Sequence, residues 1–175
     1  MKEILFYIGQ GFGILTVLLG FLNYQAKTRK SLLIIHLSTT LCFALHYGLI
    51  GAFAGMAMNL VGAVRDTTFA VIEKRRKVNR LYTIGFAIIM AIMGILSWEA
   101  WYSILVVIAL TVNSYAMSFT NPNDLRKSIL ITSPMVLIYD ILAHAYGGMV
   151  YEIVALVSVI IGLYRYREAN KVNNN

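Results

Sequence analysis

Asp66, Asp140 and Glu152 stand inside long apolar runs, in the company of His46, Tyr47 and Asn59. An ionised side chain at the centre of a membrane helix costs roughly 2.5–3.5 kcal/mol on insertion scales, so each needs a partner or a task. Glu152 can bind a cation, hydrogen-bond a polyol or carry a proton. Asp140 and His144 lie four residues apart and would project from one helix face. Such a pair can relay protons, because histidine titrates near neutral pH, or it can cap a wet helix end. The structural role is the better expectation for His144, and both stay open for Asp140. Asp66 follows Asn59 by seven residues, so the two share a face that could line an inner vestibule. Arg65 points about 100° away from that stripe and is expected to snorkel toward the cytoplasm; the plainer alternative is that Arg65 and Asp66 neutralise each other. His46 and Tyr47 are candidates for a further wall of the same cavity, and His36 is expected at the membrane interface. Asn59 and Glu152 are expected to line the cavity, against the alternative that they bond neighbouring backbone and only glue helices together.

These residues must be positioned by membrane helices. Windows of about 20 apolar residues, enough to cross a ~30 Å hydrocarbon core, fall near 4–24, 31–51, 53–73, 80–98, 100–119, 127–146 and 148–165. Thirteen of the 15 Lys and Arg residues occupy alternate gaps: Lys27 to Lys30, Lys74 to Arg80, Arg126–Lys127, and the tail from Arg165 to Lys171. Positive residues stay on the cytoplasmic side during insertion, so the N-terminus is expected outside and the C-terminus inside. Hydrophobic residues make up 59% of the chain, charged residues 13%, and mean hydropathy is +0.71, far from the balance of a soluble domain. The net charge of +7 is accounted for by loops facing anionic lipid headgroups, so no nucleic-acid partner is expected. No cleavable signal peptide is expected. Cys42 is the single cysteine, which leaves no intrachain disulfide. Neither a metal nor a cofactor is expected, and no nucleotide-binding loop is found. Trp98 and Trp101 are expected as interfacial anchors, glycines 9, 11 and 13 as points of close helix approach, and Pro134 as a kink that a gate could use.

The stretch LHYGLIGAFAGMAMNLVGAV at 45–64 lies without a gap over IYDILAHAYGGMVYEIVALV at 138–157. Asn59 and Glu152 take equivalent places, as do Tyr47 and Asp140, and Arg29-Lys30-Ser31 returns as Arg126-Lys127-Ser128. The expected fold is therefore an all-α integral membrane protein of seven transmembrane helices, two parallel three-helix repeats joined by a linker helix. The first repeat would span 1–78, the linker 79–99, the second repeat 100–168 and a cytoplasmic tail 169–175. One extra crossing is what returns a second three-helix unit to the orientation of the first, and parallel repeats are one established transporter plan.

Tyr24-Gln25, the run Lys27 to Ser31, Tyr47-Gly48 and Asn59 resemble the pattern of the PQ-loop and SWEET transporter superfamily, with its 3+1+3 helices. More narrowly, FLNYQAKTRKSLLIIHLSTTLCFALHYGLIGAFAGMAMNLVGAVRD resembles the YgjV-type bacterial inner membrane proteins. Tyr24 stands where the superfamily often has proline, and helices three and seven lack the tryptophans of sugar carriers. The resemblance implies a multi-pass protein of the bacterial inner membrane that moves a small solute by alternating access, with the polar pair of helices three and seven beside a central cavity. The leading expectation is thus a carrier, possible proton coupling included, for a small polar solute, with Asn59, Glu152, Asp140, His46, Tyr47 and Asp66 at its site. A membrane-embedded sensor or assembly factor with basic loops is the alternative. An intramembrane enzyme is disfavoured, since it needs a clustered nucleophile and base or spaced metal ligands, only His46, Asp140 and His144 could converge, and no HExxH-like spacing is found. Two repeats in one chain suffice for a pore, so an oligomer is not required.

Overall fold

The computed structural model describes residues 2–25, 29–73, 80–116 and 122–173. They form seven helices and, among the described residues, no strand: α1 (Lys2–Gln25), α2 (Arg29–Ile50), α3 (Phe53–Glu73), α4 (Arg80–Leu96), α5 (Ser103–Ala116), α6 (Pro122–Leu142) and α7 (Tyr146–Asn173). The basic run Lys74 to Lys77 and the side chains of Tyr24 and Gln25 lie outside what is described. The largest departures from the expected windows concern the last two helices. α6 begins at Pro122 rather than near 127, because proline's fixed φ and missing N–H suit the first helical position. α7 runs on to Asn173, through the basic stretch expected as tail.

Six helices close a ring. α1 packs on α2, α2 on α3, α3 on α5, α5 on α6, α6 on α7, and α7 back on α1. α4 lies outside the ring against α3 and α5, with Met90 reaching its centre. The outer surface is apolar: Ile14, Val64, Leu81, Ile95 and Ile131 are 60–72% exposed. The interior holds polar groups, with Thr16, His46, Thr83, Ser103, Ser114 and Asp140 fully buried. Apolar outside and polar inside is the distribution that hydrocarbon solvent demands. One segment, Glu3–Leu22, is long and apolar enough by itself to cross a membrane. Shorter apolar runs cover Ile34–Ile50, Arg80–Leu96, Ser103–Ala116 and Tyr146–Ile161. The windows expected over α3 and α6 are not among these runs: Asn59, Arg65 and Asp66 interrupt α3, and Thr132, Ser133 and Asp140 interrupt α6.

The turns between α2 and α3 and between α6 and α7 follow one plan. The Ala52 N–H donates to the Tyr47 carbonyl at 2.8 Å and the Gly51 N–H to the Gly48 carbonyl at 3.3 Å. The Ala145 N–H donates to the Asp140 carbonyl at 2.8 Å and the His144 N–H to the Ile141 carbonyl at 3.3 Å. Both are Schellman endings, which require a left-handed residue just past the helix, here Gly51 with φ 86° and His144 with φ 55°. The next helix follows at once, its first backbone bonds accepted by the carbonyls of Ala52 and Ala145. Alanine offers no side chain to the free N–H groups of a helix start. They are met from elsewhere: Glu99 Oε1 accepts from the Ala54 N–H, and Gln10 Oε1 accepts from the Gly147 N–H at 3.2 Å. These bonds bring the α2–α3, α4–α5 and α6–α7 connections and the first half of α1 to one end of the bundle, the turn end.

Candidate functional site

A cavity of about 250 Å³ occupies the centre of the ring. α2 contributes His36, Thr40, Phe43 and Tyr47; α3 contributes Asn59 and Arg65; Asn113, Ser133, Tyr151 and Glu152 come from α5, α6 and α7. Tyr47 and His36 mark its length along α2, about 16 Å apart at 1.5 Å per residue. α3 and α7 stand opposite each other in the ring, so Asn59 and Glu152 face the cavity from opposed walls. Glu152 accepts a hydrogen bond from Ser133. The Asn59 amide donates to the Gly55 carbonyl of its own helix at 2.9 Å, so it both lines the cavity and bonds backbone.

At the turn end the cavity is roofed. The Tyr47 hydroxyl donates to Asp140 Oδ1 at 2.7 Å, spanning the ring between residues 93 apart in the chain. The Tyr139 hydroxyl accepts from the Gly55 N–H at 3.0 Å. Phe43 stacks on Tyr47 with centroids 5.8 Å apart, and Tyr139 meets Tyr47 edge-on at 5.9 Å. His46 lies behind this roof, against α1: its Nδ1 donates to the Gly9 carbonyl at 2.8 Å, which places the proton of the neutral ring on Nδ1. Asp140 Oδ2 and His46 Nε2 are buried with no hydrogen-bond partner among the described residues. Gly148 makes room for the carboxyl, since a Cβ there would stand 2.5 Å from Oδ2.

At the opposite end, Arg65 donates from Nε at 3.0 Å and Nη2 at 2.8 Å to Asp66 Oδ1. Asp66 Oδ2 meets His36 Nδ1 at 2.9 Å and accepts from Thr40 at 3.4 Å. Of the two readings of Arg65, snorkelling is corrected and pairing with Asp66 holds: Arg65 is 7% exposed and folds back onto the neighbouring carboxylate. His36, expected at the interface, also completes this cluster. A buried charge left alone costs far more than one with a partner at hydrogen-bond distance, and this decides both orientations.

The expected Asp140–His144 pair does not form. α6 stops at Leu142, two residues earlier than a shared face would need. His144 instead takes the left-handed turn position and is exposed, and its carbonyl accepts from Gln10 Nε2 at 2.7 Å. Of the six expected site residues, Tyr47, Asn59 and Glu152 line the cavity. Asp140 joins it through Tyr47, Asp66 stands behind Arg65, and His46 is one layer away. Asn113 and Ser133 went unnamed in the sequence. Asn113 had a usable signal, as an amide in the apolar run of α5 like Asn59 in α3; its Oδ1 accepts from Thr132 at 2.9 Å and Ser128 at 3.3 Å. Ser133 had none beyond its place before Pro134. In the α4–α5 loop, burial pushes the Glu99 carboxyl up, against the opposing pull of the Ala54 and Phe53 N–H groups.

Helices that are apolar outside and polar within, arranged around a central cavity, define an integral membrane protein. The chain belongs to the Imp-YgjV family of bacterial inner membrane proteins, whose model matches residues 7–170. No curated protein and no solved structure matches it. The protein therefore resides in the bacterial inner membrane, with the lipid bilayer as its surroundings.

Proposed function

We propose that the protein is a carrier that moves a small polar solute across the inner membrane by alternating access, and that it performs no chemistry on the solute. The observation that carries this proposal is the cavity at the centre of the six-helix ring, lined from opposite walls by Asn59 and Glu152. Enclosed cavities with a few convergent polar groups are the usual form of a small-molecule site. The proposal includes two parallel three-helix repeats, α1–α3 and α5–α7, with α4 as linker, in the 3+1+3 manner of the PQ-loop and SWEET carriers. The matching turns and the order of helices around the ring support it. It also includes an outward-facing turn end and a cytoplasmic Arg65 end, following the placement of Lys and Arg in the chain. The roof of Tyr47 and Asp140 would then seal the outer side while the solute exchanges with the cytoplasm, and Asn59 and Glu152 would contact the solute in either state.

The test is solute counterflow. Purified protein is screened for solutes that raise its thermal stability, as any ligand of the folded state must, and hits are followed in proteoliposomes preloaded with unlabelled solute. Labelled solute should accumulate against its gradient in wild-type vesicles, and Glu152→Gln should reduce the initial rate about tenfold or more, as expected for loss of a charge-assisted contact. A solute that binds but never exchanges would make the protein a sensor rather than a carrier.

A further inference from the structure

The cavity wall carries an uneven charge. Arg65 is committed through two nitrogens to Asp66, and His36, which also lines the cavity, is held by the other oxygen of the same carboxylate, so these three side chains satisfy one another. Asp140 gives one oxygen to Tyr47 and is roofed off. Glu152 remains. Ser133 is its hydrogen-bond donor, and among the described residues no Lys, Arg or His pairs with it. A carboxylate inside a membrane protein, without a cationic side chain, is offset by a proton or by a positive charge from elsewhere, and the surrounding groups decide which a solute can supply.

The groups beside Glu152 suit one kind of positive charge. Tyr151 precedes it and lines the cavity. Phe43 meets the Tyr151 ring edge-on at 4.8 Å and stacks on Tyr47 at 5.8 Å. Aromatic rings grouped beside a carboxylate attract an alkylammonium twice, through the counter-ion and through the negative faces of the rings. A metal ion finds only one carboxylate here, well short of the oxygen shell that calcium or magnesium takes. A carboxylate solute would meet Glu152 with only a guanidinium and an imidazole, both already held by Asp66, to offset it. A neutral sugar would find hydroxyl and amide partners but would make no use of the aromatic rings beside the carboxyl as a cation does. The volume, about 250 Å³, holds on the order of eight waters at ~30 Å³ each, room for a solute of a few carbon atoms.

We propose that the cavity binds a small organic cation, a primary or quaternary ammonium, with Glu152 as its counter-ion, Phe43, Tyr47 and Tyr151 as its aromatic wall, and Asn59 as a polar contact from α3. Binding stands on the cavity alone; transport of that cation rests on the carrier proposal above.

The experiment is calorimetric titration of the detergent-purified full chain with four probes: tetramethylammonium chloride, ethanolamine hydrochloride, uncharged tert-butanol of similar bulk, and sodium acetate. Glu152→Gln, Glu152→Asp and Phe43→Leu are titrated alongside, with circular dichroism to establish that each is folded. The two ammonium ions should bind and the other two probes should not. Glu152→Gln should weaken ammonium binding about tenfold or more, Glu152→Asp should retain most of it, and Phe43→Leu should weaken tetramethylammonium severalfold, in keeping with cation–π energies. Binding of acetate or tert-butanol as tight as that of the ammonium ions would overturn the proposal. So would ammonium binding indifferent to Glu152→Gln, or no binding of any probe by folded protein. Tetramethylammonium that binds through Glu152 but shows no counterflow would support the cation site and remove the carrier. Counterflow of a neutral or anionic solute, with ammonium ions unbound, would do the reverse.

Discussion

The α2–α3 and α6–α7 turns share their backbone hydrogen bonds and differ in their side chains. Where the first has Tyr47, Gly51, Ala54 and Asn59, the second has Asp140, His144, Gly147 and Glu152, each 93 residues later. The main-chain geometry survives these exchanges because it depends on carbonyls, N–H groups and one left-handed residue. The interior does not stay symmetric. A Cβ on Gly147 would fall 2.3 Å from the Gly13 Cα, so α7 presses directly on α1, whereas Ala54 already carries a buried methyl on α3. Tyr47 donates a hydrogen bond and Asp140 accepts it, so the two equivalent positions bond to each other across the ring. Asn59 brings an amide to one wall and Glu152 a carboxyl to the other. One backbone plan thus encloses a polarised cavity through a few substitutions.

Exchanging the residues between the two turns should break this asymmetry, most severely at the helix crossing. Gly147→Ala drives a methyl into the backbone of α1 at Gly13 and should cost about 3 kcal/mol, the upper end for an overpacked site. Ala54→Gly, the reverse exchange in α3, should cost about 1 kcal/mol from helix propensity. Unfolding titrations in mixed micelles measure both, and equal losses would show that the two crossings are equally tight. Next comes the roof. Tyr47→Phe takes the only hydrogen-bond partner of Asp140 Oδ1 among the described side chains and should cost about 2 kcal/mol, the penalty of a buried unsatisfied group. Adding Asp140→Leu should recover part of that loss, because replacing both partners by apolar groups leaves no buried polar atom unsatisfied; simple additivity in the double mutant would argue against the Tyr47–Asp140 pairing. The smallest effects belong to the left-handed positions. His144→Gly should stabilise by up to about 1 kcal/mol by relieving the strain of a side chain there, less the entropy of glycine. Gly51→Ala should destabilise by about the same amount, and a thermal melt that moves the same way for both would rule out matched turns.

Much of this architecture is legible in the amino acids taken in order. The apolar windows locate all seven helices, because hydrocarbon admits only segments that satisfy their own backbone. The paired motifs GMAMN and GMVYE single out Asn59 and Glu152, and both line the cavity. Spacing misleads at His144: four residues from Asp140 implies one helix face, but a helix end is settled by the turn that follows, and Ala145 bonds back to Asp140. Arg65 misleads for a related reason. A long cationic side chain snorkels only when water is its best partner, and here Asp66 is nearer.

Apolar length, the placement of charge and the recurrence of a motif are local properties of the chain, so a helical inner membrane protein with a polar pair in α3 and α7 follows from the residues alone. Meetings between distant residues are of another kind. That Tyr47 reaches Asp140, His36 reaches Asp66, and Gln10 and Glu99 satisfy the helices that begin after Ala52 and Ala145 depends on how six helices close into a ring. A hydrogen bond extends about 3 Å, while these partners are tens of residues apart in sequence, and packing alone brings them within that range.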